Sequence, residues 1–262
     1  MAVVNVTPDS FYEASRLDCD EQVAERVRQV VEEGASIIDI GGYSSRPGAA
    51  VVPVDEEWRR VESGLRAVMA LGADVAISID TFRSEIAERA LKLNDRVIIN
   101  DITGGDADER IVDVVAEAGA PYVAMHMRGM PETMQSMTDY EDVVAEVVES
   151  LKAKAEWLVG RGIDAERLIL DPGFGFAKST EQNFRLMAHL DRICALGFPV
   201  LAGISRKSMI YKTLGVTPEQ SLTGTVALNW ESLRAGATIL RVHDVREAMQ
   251  VVRLFEEFER NR

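Results

Sequence analysis

The sequence predicts an α/β fold, a single (β/α)8 TIM barrel spanning residues 1–262, and three observations predict it. Short β-branched or aliphatic runs recur eight times, amphipathic stretches separate them, and polar or glycine-rich strings follow the runs. Runs of this length, mostly β-branched or aliphatic, suit parallel strands buried on both faces. Eight strand–helix units are what such a barrel needs to close.

The runs are Ala2-Val3-Val4-Asn5-Val6, Ser36-Ile37-Ile38-Asp39-Ile40, Val75-Ala76-Ile77-Ser78-Ile79, Val97-Ile98-Ile99-Asn100, Tyr122-Val123-Ala124-Met125, Leu168-Ile169-Leu170, Pro199-Val200-Leu201-Ala202 and Thr238-Ile239-Leu240-Arg241-Val242. Helical periodicity fills the intervals. Over residues 141–159, Val143, Val144, Val147, Val148, Leu151, Ala155 and Leu158 share one stripe, with Glu and Lys opposite. The pairs Gly34-Ala35, Gly72-Ala73, Gly119-Ala120 and Gly236-Ala237 stand where helices end before a strand, because glycine takes the left-handed conformation that satisfies the last carbonyls. The first strand begins almost at Met1, so the residues that often plug a barrel floor are short or missing.

A chain of 262 residues suits one large barrel or two small domains, and no linker, low-complexity segment or composition shift divides it. With 47% hydrophobic and 27% charged residues the chain can bury a full core. No apolar run reaches the roughly 20 residues of a membrane helix, and no basic segment followed by a long apolar run marks a secretory signal. Two cysteines, Cys19 and Cys194, lie far apart without metal-ligand spacing and read as reduced thiols in a cytoplasmic protein. The net charge of −14 opposes binding to nucleic acid or an anionic membrane, but leaves room for an anionic small molecule where cations cluster locally.

Barrel active sites lie at the C-terminal ends of the strands, and the polar strings fall there. Asp80, Asn100 and Asp171 would point into the mouth from three strands beside Lys207, offering acceptors and an amide to an amino-pyrimidinone edge. The alternative for each alone is a cap on loop amides. Ser205-Arg206-Lys207-Ser208 precedes a helix and could turn amides and cations toward an anion. Arg241 and His243 alternate along the last strand and suit phosphate oxygens. Of three histidines, His243 is the site candidate, His126 belongs either to the core or to the site, and His189 to surface or packing. Asn5 could meet phosphate oxygens or a magnesium ion whose other ligands are water and substrate. Phe174, between two glycines, forms an apolar wall or simply packs. Residues 7–16 and 41–52, rich in Ser, Pro and Gly and carrying Asp9, Ser45 and Arg46, read as lids.

The strings Asn5-Val6-Thr7-Pro8-Asp9-Ser10-Phe11, Arg46-Pro47-Gly48, Asp171-Pro172-Gly173-Phe174-Gly175-Phe176 and Ser205-Arg206-Lys207-Ser208, in that order, resemble the dihydropteroate synthase family over essentially the whole chain. The resemblance implies that 6-hydroxymethyl-7,8-dihydropterin diphosphate condenses with p-aminobenzoate in folate synthesis. It implies that Asp80, Asn100, Met125, Asp171 and Lys207 hold the pterin, and that Asn5, Arg241 and His243 hold the diphosphate with Mg²⁺. Ser45, Arg46, Pro47, Phe174, Lys207 and Ser208 would form the p-aminobenzoate site. Lys207, Arg241, His243, Asp9 and Arg46 would carry the chemistry, an SN1-like loss of diphosphate before amine attack. A homodimer and sulfonamide competition are further implications. The chain departs from the family in reading Tyr43-Ser44-Ser45 where Glu-Ser-Thr is common, which bears on loop motion and sulfonamide sensitivity. Two rivals remain: a methyltetrahydrofolate-binding barrel that delivers a methyl group to a corrinoid, which has no use for a diphosphate site, and a paralogue that keeps the barrel without catalysis.

Overall fold

The structure is a computed structural model that describes residues 1–6, 16–43, 51–129 and 133–262. Among the described residues the strands are β1 (Ala2–Asn5), β2 (Ile37–Gly41), β3 (Ala76–Asp80), β4 (Ile98–Asp101), β5 (Tyr122–Met125), β6 (Leu168–Asp171), β7 (Leu201–Ala202) and β8 (Ile239–Leu240). The helices are α1 (Arg16–Glu32), α2 (Val54–Leu71), α3 (Ser84–Leu93), α4 (Arg110–Ala118), α5 (Val143–Gly160), α6 (Thr180–Ala188), α7 (Asp191–Cys194), α8 (Ser208–Leu214), α9 (Leu222–Arg234) and α10 (Val245–Arg260).

Parallel ladders join β1 through β6 in chain order, and a second ladder joins β7 to β8. Single parallel bridges cross the two seams, Leu170 to Val200 and Ala2 to Val242. Hydrogen bonds from Leu170 N to Pro199 O, Val3 N to Val242 O and Val242 N to Met1 O, each 2.9 Å, reinforce them. The eight strands thus follow one another around one axis. The last two are shorter than the apolar runs that contain them, for a local reason: Val200 N donates to Thr238 Oγ1 at 3.1 Å, a side chain standing where a ladder carbonyl would.

Period-two alternation divides each strand between two environments. Outward residues such as Ile38, Ile40, Ile79, Ile99, Leu168 and Leu170 join the helices in the main core. Inward residues Ile98, Val123, Ile169 and Leu201, with Met1, Ile37 and Ile239 against them, form a separate small cluster that fills the barrel floor. Strand side chains themselves therefore pack this end of the barrel. Two residues further along the same strands, on the same inward face, stand Asp39, Asn100, Met125, Asp171, Gly203 and Arg241.

Helix termini follow local chemistry. Asp142 caps α5 by accepting from Val144 N and Ala145 N. Ser179 and Gln182 form a reciprocal capping box on α6. Gly34, Gly72, Gly119 and Gly236 have φ of 97°, 62°, 60° and 103°, as the Gly-Ala pairs predict. Along α5, Val143, Val144, Val147, Leu151, Ala155 and Leu158 are buried, as the stripe requires.

Candidate active site

The upper inward layer forms one connected polar cluster. Asp39 is fully buried on β2. Its Oδ1 accepts from Ser78 Oγ at 2.6 Å, and Asn100 Nδ2 donates to its two oxygens at 3.3 and 3.2 Å. Arg241 donates through Nε to Asp39 Oδ2 at 2.6 Å and through Nη2 to Asp80 Oδ2 at 2.6 Å. Strand register places Asn5, Gly41, Asp80 and Asn100 side by side across β1 to β4. Gly41 leaves room there: a Cβ would lie 3.2 Å from Asn5 Oδ1 and 3.7 Å from Asp80 Cβ.

The opposite wall comes from β6 and the turn after β7. Asp171 pairs in register with Met125, and its Oδ1 accepts from Gly173 N at 2.7 Å. The aliphatic stem of Lys207 crosses Gly175, whose φ is +80° and where a Cβ would meet Lys207 Cδ at 3.1 Å. Lys207 Nζ donates to Phe174 O and stands 4.7 Å from the Phe176 ring centroid. Gly203 joins the walls, since a Cβ there would lie 3.8 Å from Arg241 Cβ and 3.9 Å from Lys207 Nζ. The acceptor-rich grip and the two cations therefore share a single mouth. His243 is exposed at its rim; its N donates to Ser205 Oγ at 3.2 Å, and its Nδ1 lies 3.1 Å from that oxygen. Ser208 is half-buried at the start of α8.

Burial and neighbouring charge tune these groups. Burial raises Asp80 to about 7; Arg241 opposes this, but Asp39, which shares the guanidinium, adds to it. Burial raises Asp171 against the pull of Lys207. Burial lowers Lys207 to about 8, with Asp171 opposing and Arg241 assisting. Burial works against the charge on Arg241, yet Asp39 and Asp80 hold its pKa above the usual arginine value.

Several expectations need correction. The Phe174 ring is fully buried in the core and supplies only its carbonyl to the mouth; Phe176 is the aromatic beside Lys207. The two share strand-end parity, but Gly175 between them, with φ of +80°, turns the chain so that the second ring stands beside Lys207. Arg206 is engaged within the protein rather than offered to a ligand anion. It forms a two-point ion pair with Asp244 at 2.9 and 2.8 Å and donates to Pro218 O and Glu219 O, with φ of +54°. His126 is buried just after β5, held neutral by burial with its pKa lowered to about 2. Its Nδ1 lies 3.0 Å from Lys178 Nζ, which also donates to Gly173 O and Phe176 O at 3.0 and 3.1 Å, so the pair anchors the strand-six loop. His189, expected at the surface or in packing, is exposed at the end of α6. Tyr43 packs edge-on against Phe82, ring centroids 5.2 Å apart, with the Arg83 guanidinium 5.3 Å from its ring. Asp9, Ser45, Arg46 and Pro47, and most of both expected lids, lie outside the described residues.

Asp39, Lys178 and Phe176 were missing from the sequence-derived site. Parity held the signal for Asp39: it follows Ile37 by two residues, as Arg241 follows Ile239.

An eight-stranded α/β barrel with carboxylates, an amide and cations on its C-terminal rim defines a barrel enzyme built to hold a polar, flat ligand with an anionic group. Residues 1–243 match the model of the family described as "Pterin binding enzyme". A dihydropteroate synthase of Neisseria meningitidis is 43% identical over 98% of this chain and 91% of that protein. The Xanthomonas albilineans dihydropteroate synthase solved with 4-aminobenzoic acid has a TM-score of 0.91 at 40% identity, over 98% of this chain and 92% of that one. The Yersinia pestis enzyme solved with a sulfonamide drug has a TM-score of 0.91 at 36% identity, over 98% and 93%. This chain belongs to the pterin-binding enzyme family, in its dihydropteroate synthase group.

Proposed function

We propose that the protein condenses 6-hydroxymethyl-7,8-dihydropterin diphosphate with p-aminobenzoate, giving 7,8-dihydropteroate and diphosphate in folate biosynthesis. One observation carries this reading: the hydrogen bond from Arg241 to Asp80 ties the cationic side of the mouth directly to its acceptor side. A methyltetrahydrofolate-binding barrel needs only the acceptor side.

Asp80, Asn100 and Asp171 accept from the donor edge of the pterin, Met125 packs beside it, and Lys207 donates to a ring carbonyl or nitrogen. Arg241, His243 and Asn5 meet the diphosphate. The bond from the pterin methylene carbon to diphosphate oxygen breaks with its electron pair leaving on the diphosphate. Asp80 and Asp171 favour the positive charge left on the pterin, and Arg241 the negative charge on the leaving group. The arylamine then attacks the carbon and sheds its proton to water. Lys207, Ser208 and the Phe176 ring border the p-aminobenzoate position, with Ser45, Arg46 and Pro47 contributing from the second loop and Asp9 from the first. Sulfonamides would compete at the same position; that a Yersinia pestis relative was solved in complex with a sulfonamide drug supports sulfonamide binding.

Among the described residues no group of three or more His, Cys, Asp or Glu is placed to hold a metal ion. Asn5 Oδ1 is a hard oxygen at the rim, and this fits a magnesium ion that takes its remaining ligands from water and substrate phosphate. When bound, magnesium would neutralise charge on the leaving diphosphate. We further assign a cytoplasmic location and a homodimer; no helix among the described residues is long and apolar enough to cross a membrane.

A coupled assay for diphosphate release, run with and without p-aminobenzoate, tests the reaction. Release that depends on p-aminobenzoate is the expected result; no release with either mixture would favour a paralogue without catalysis. Positional isotope exchange within the substrate diphosphate, in the absence of p-aminobenzoate, is expected for the dissociative route, and its absence points to direct displacement.

A further inference from the structure

We propose that Asp39 is a positioning residue that fixes the facing of the Asn100 amide and the Arg241 guanidinium, and so sets the hydrogen-bond polarity by which the mouth distinguishes a 2-amino pterin from its 2-oxo analogue. The proposal rests on the pterin reading above.

Asp39 lies just below the ligand position and is sealed from solvent. An ionised carboxylate only accepts hydrogen bonds. Its donors are Ser78 Oγ, Asn100 Nδ2 and Arg241 Nε. An amide facing a carboxylate must present its nitrogen, so Asn100 turns Nδ2 down and Oδ1 away. No donor among the described residues reaches Asn100 Oδ1, and that oxygen is not among the buried polar atoms lacking a partner. It is therefore offered to the mouth. There it stands on the same inward face as Asp80, its register partner across β3 and β4. The mouth then presents carboxylate and carbonyl acceptors in a row, with Lys207 as the donor on the other wall. A heterocycle edge bearing an amino group and ring N–H groups satisfies that row. Replacing the amino group by a carbonyl sets lone pairs against lone pairs and leaves a buried acceptor unpaired, the situation in which a polar site discriminates most strongly.

Arg241 depends on the same carboxylate. With Nε held by Asp39, its Nη2 edge is laid against Asp80. Without that anchor the guanidinium could turn wholly onto Asp80 and mask an acceptor the ligand needs.

Asp39→Asn tests the assignment, because it preserves shape while converting one acceptor into a donor that can face Asn100 Oδ1 and let that amide turn over. Binding of 6-hydroxymethylpterin and of the corresponding 2,4-dioxo compound, a lumazine, is measured on wild type and variant, together with KM for p-aminobenzoate and the melting temperature. The preference for the pterin over the lumazine is expected to fall about tenfold or more, with KM for p-aminobenzoate within about twofold of wild type. A purely structural role would lower the melting temperature and leave the preference of the folded fraction intact, and that result overturns the proposal. Asp39→Ser, whose hydroxyl imposes no polarity, is read in the same way if the first variant does not fold; failure of both to fold makes Asp39 a folding residue and also overturns it. If wild type binds neither compound, the pterin reading itself fails, an outcome distinct from a wild-type preference that survives in the variants.

Discussion

Lys207 shows how one side chain is both used and constrained. Its stem lies across Gly175, its ammonium donates to Phe174 O, and burial holds its pKa near the working range at about 8. The ammonium is lost as pH rises through about 8, while Asp80, raised to about 7, becomes protonated as pH falls below that value. Donor and acceptor are correctly charged together only between the two. The groups facing them are Asp39, Asp171, whose pKa burial also raises, and Arg241, whose pKa Asp39 and Asp80 hold above the usual arginine value. The profile of kcat/KM for the pterin substrate, which reports the free enzyme, is therefore expected to be a narrow bell with its maximum between about 7 and 8. Lys207→Arg keeps a cation that does not titrate there, so whatever activity remains should lose the alkaline limb; an unmoved limb would assign it to another group. Lys207→Ala removes the charge opposite Asp171 and is expected to lower kcat/KM by about 100-fold or more, with the far-ultraviolet circular dichroism unchanged. At this scale the sequence was legible where a residue type at a strand end is unusual, as with Asp80, Asn100, Asp171 and Arg241. It misled where a turn decides direction, as with the neighbouring Phe174 and Phe176, and where a partner decides it, as with Arg206, which Asp244 draws out of the mouth.

At the scale of elements, the loop after β6 does most to shape the site, and its backbone is held from several sides. Asp171 accepts from Gly173 N, Lys178 donates to Gly173 O and Phe176 O, and Asn183 Oδ1 accepts from Gly175 N at 2.7 Å. Gly173 has φ of +67°, and a Cβ there would lie 2.0 Å from His126 O, a backbone atom that cannot move aside alone. Gly173→Ala is expected to destabilise the protein by about 2–4 kcal/mol and to raise KM for p-aminobenzoate, measured by urea denaturation and steady-state kinetics; a change in neither would mean that the loop relaxes freely. Gly64 sets two effects against each other. Alanine should favour the interior of α2 by up to about 1 kcal/mol, yet its Cβ would meet Ile40 Cγ2 at 2.7 Å on a stiff β-branched side chain. Packing wins at a fully buried strand residue, so Gly64→Ala is expected to lower the melting temperature, and a rise would show that β2 yields. Strand number and order were readable because each apolar run is short and closed by polar residues. Strand ends were not, because ladder hydrogen bonds decide them: β6 takes in Asp171 beyond its apolar run, while Thr238 Oγ1 shortens the pairing beside β7 and β8.

Over the whole molecule, barrel closure and charge act together on the substrate. The seams beside β7 and β8 bring Arg241 across from β8 to Asp39 and Asp80 of β2 and β3, contacts spanning 202 and 161 residues of sequence. No local pattern encodes such a contact; only the closed ring makes neighbours of the first and last strands. Closure also limits the attraction the mouth can exert, since Arg241 and Lys207 stand among Asp39, Asp80 and Asp171 and largely neutralise them. The chain as a whole carries a net charge of −14, and both proposed substrates are anions. Long-range repulsion should therefore slow their approach, while the short contacts that hold them lie in partly buried positions that salt screens less. Raising ionic strength from about 0.01 to 0.15 M, which shortens the screening length from about 30 to 8 Å, is expected to increase kcat/KM for the pterin diphosphate about twofold, with kcat nearly constant. Steady-state kinetics at fixed magnesium and pH checks this. A fall in kcat/KM instead would mean that the cations of the mouth, together with those of the two loops, already dominate the field that an arriving diphosphate meets.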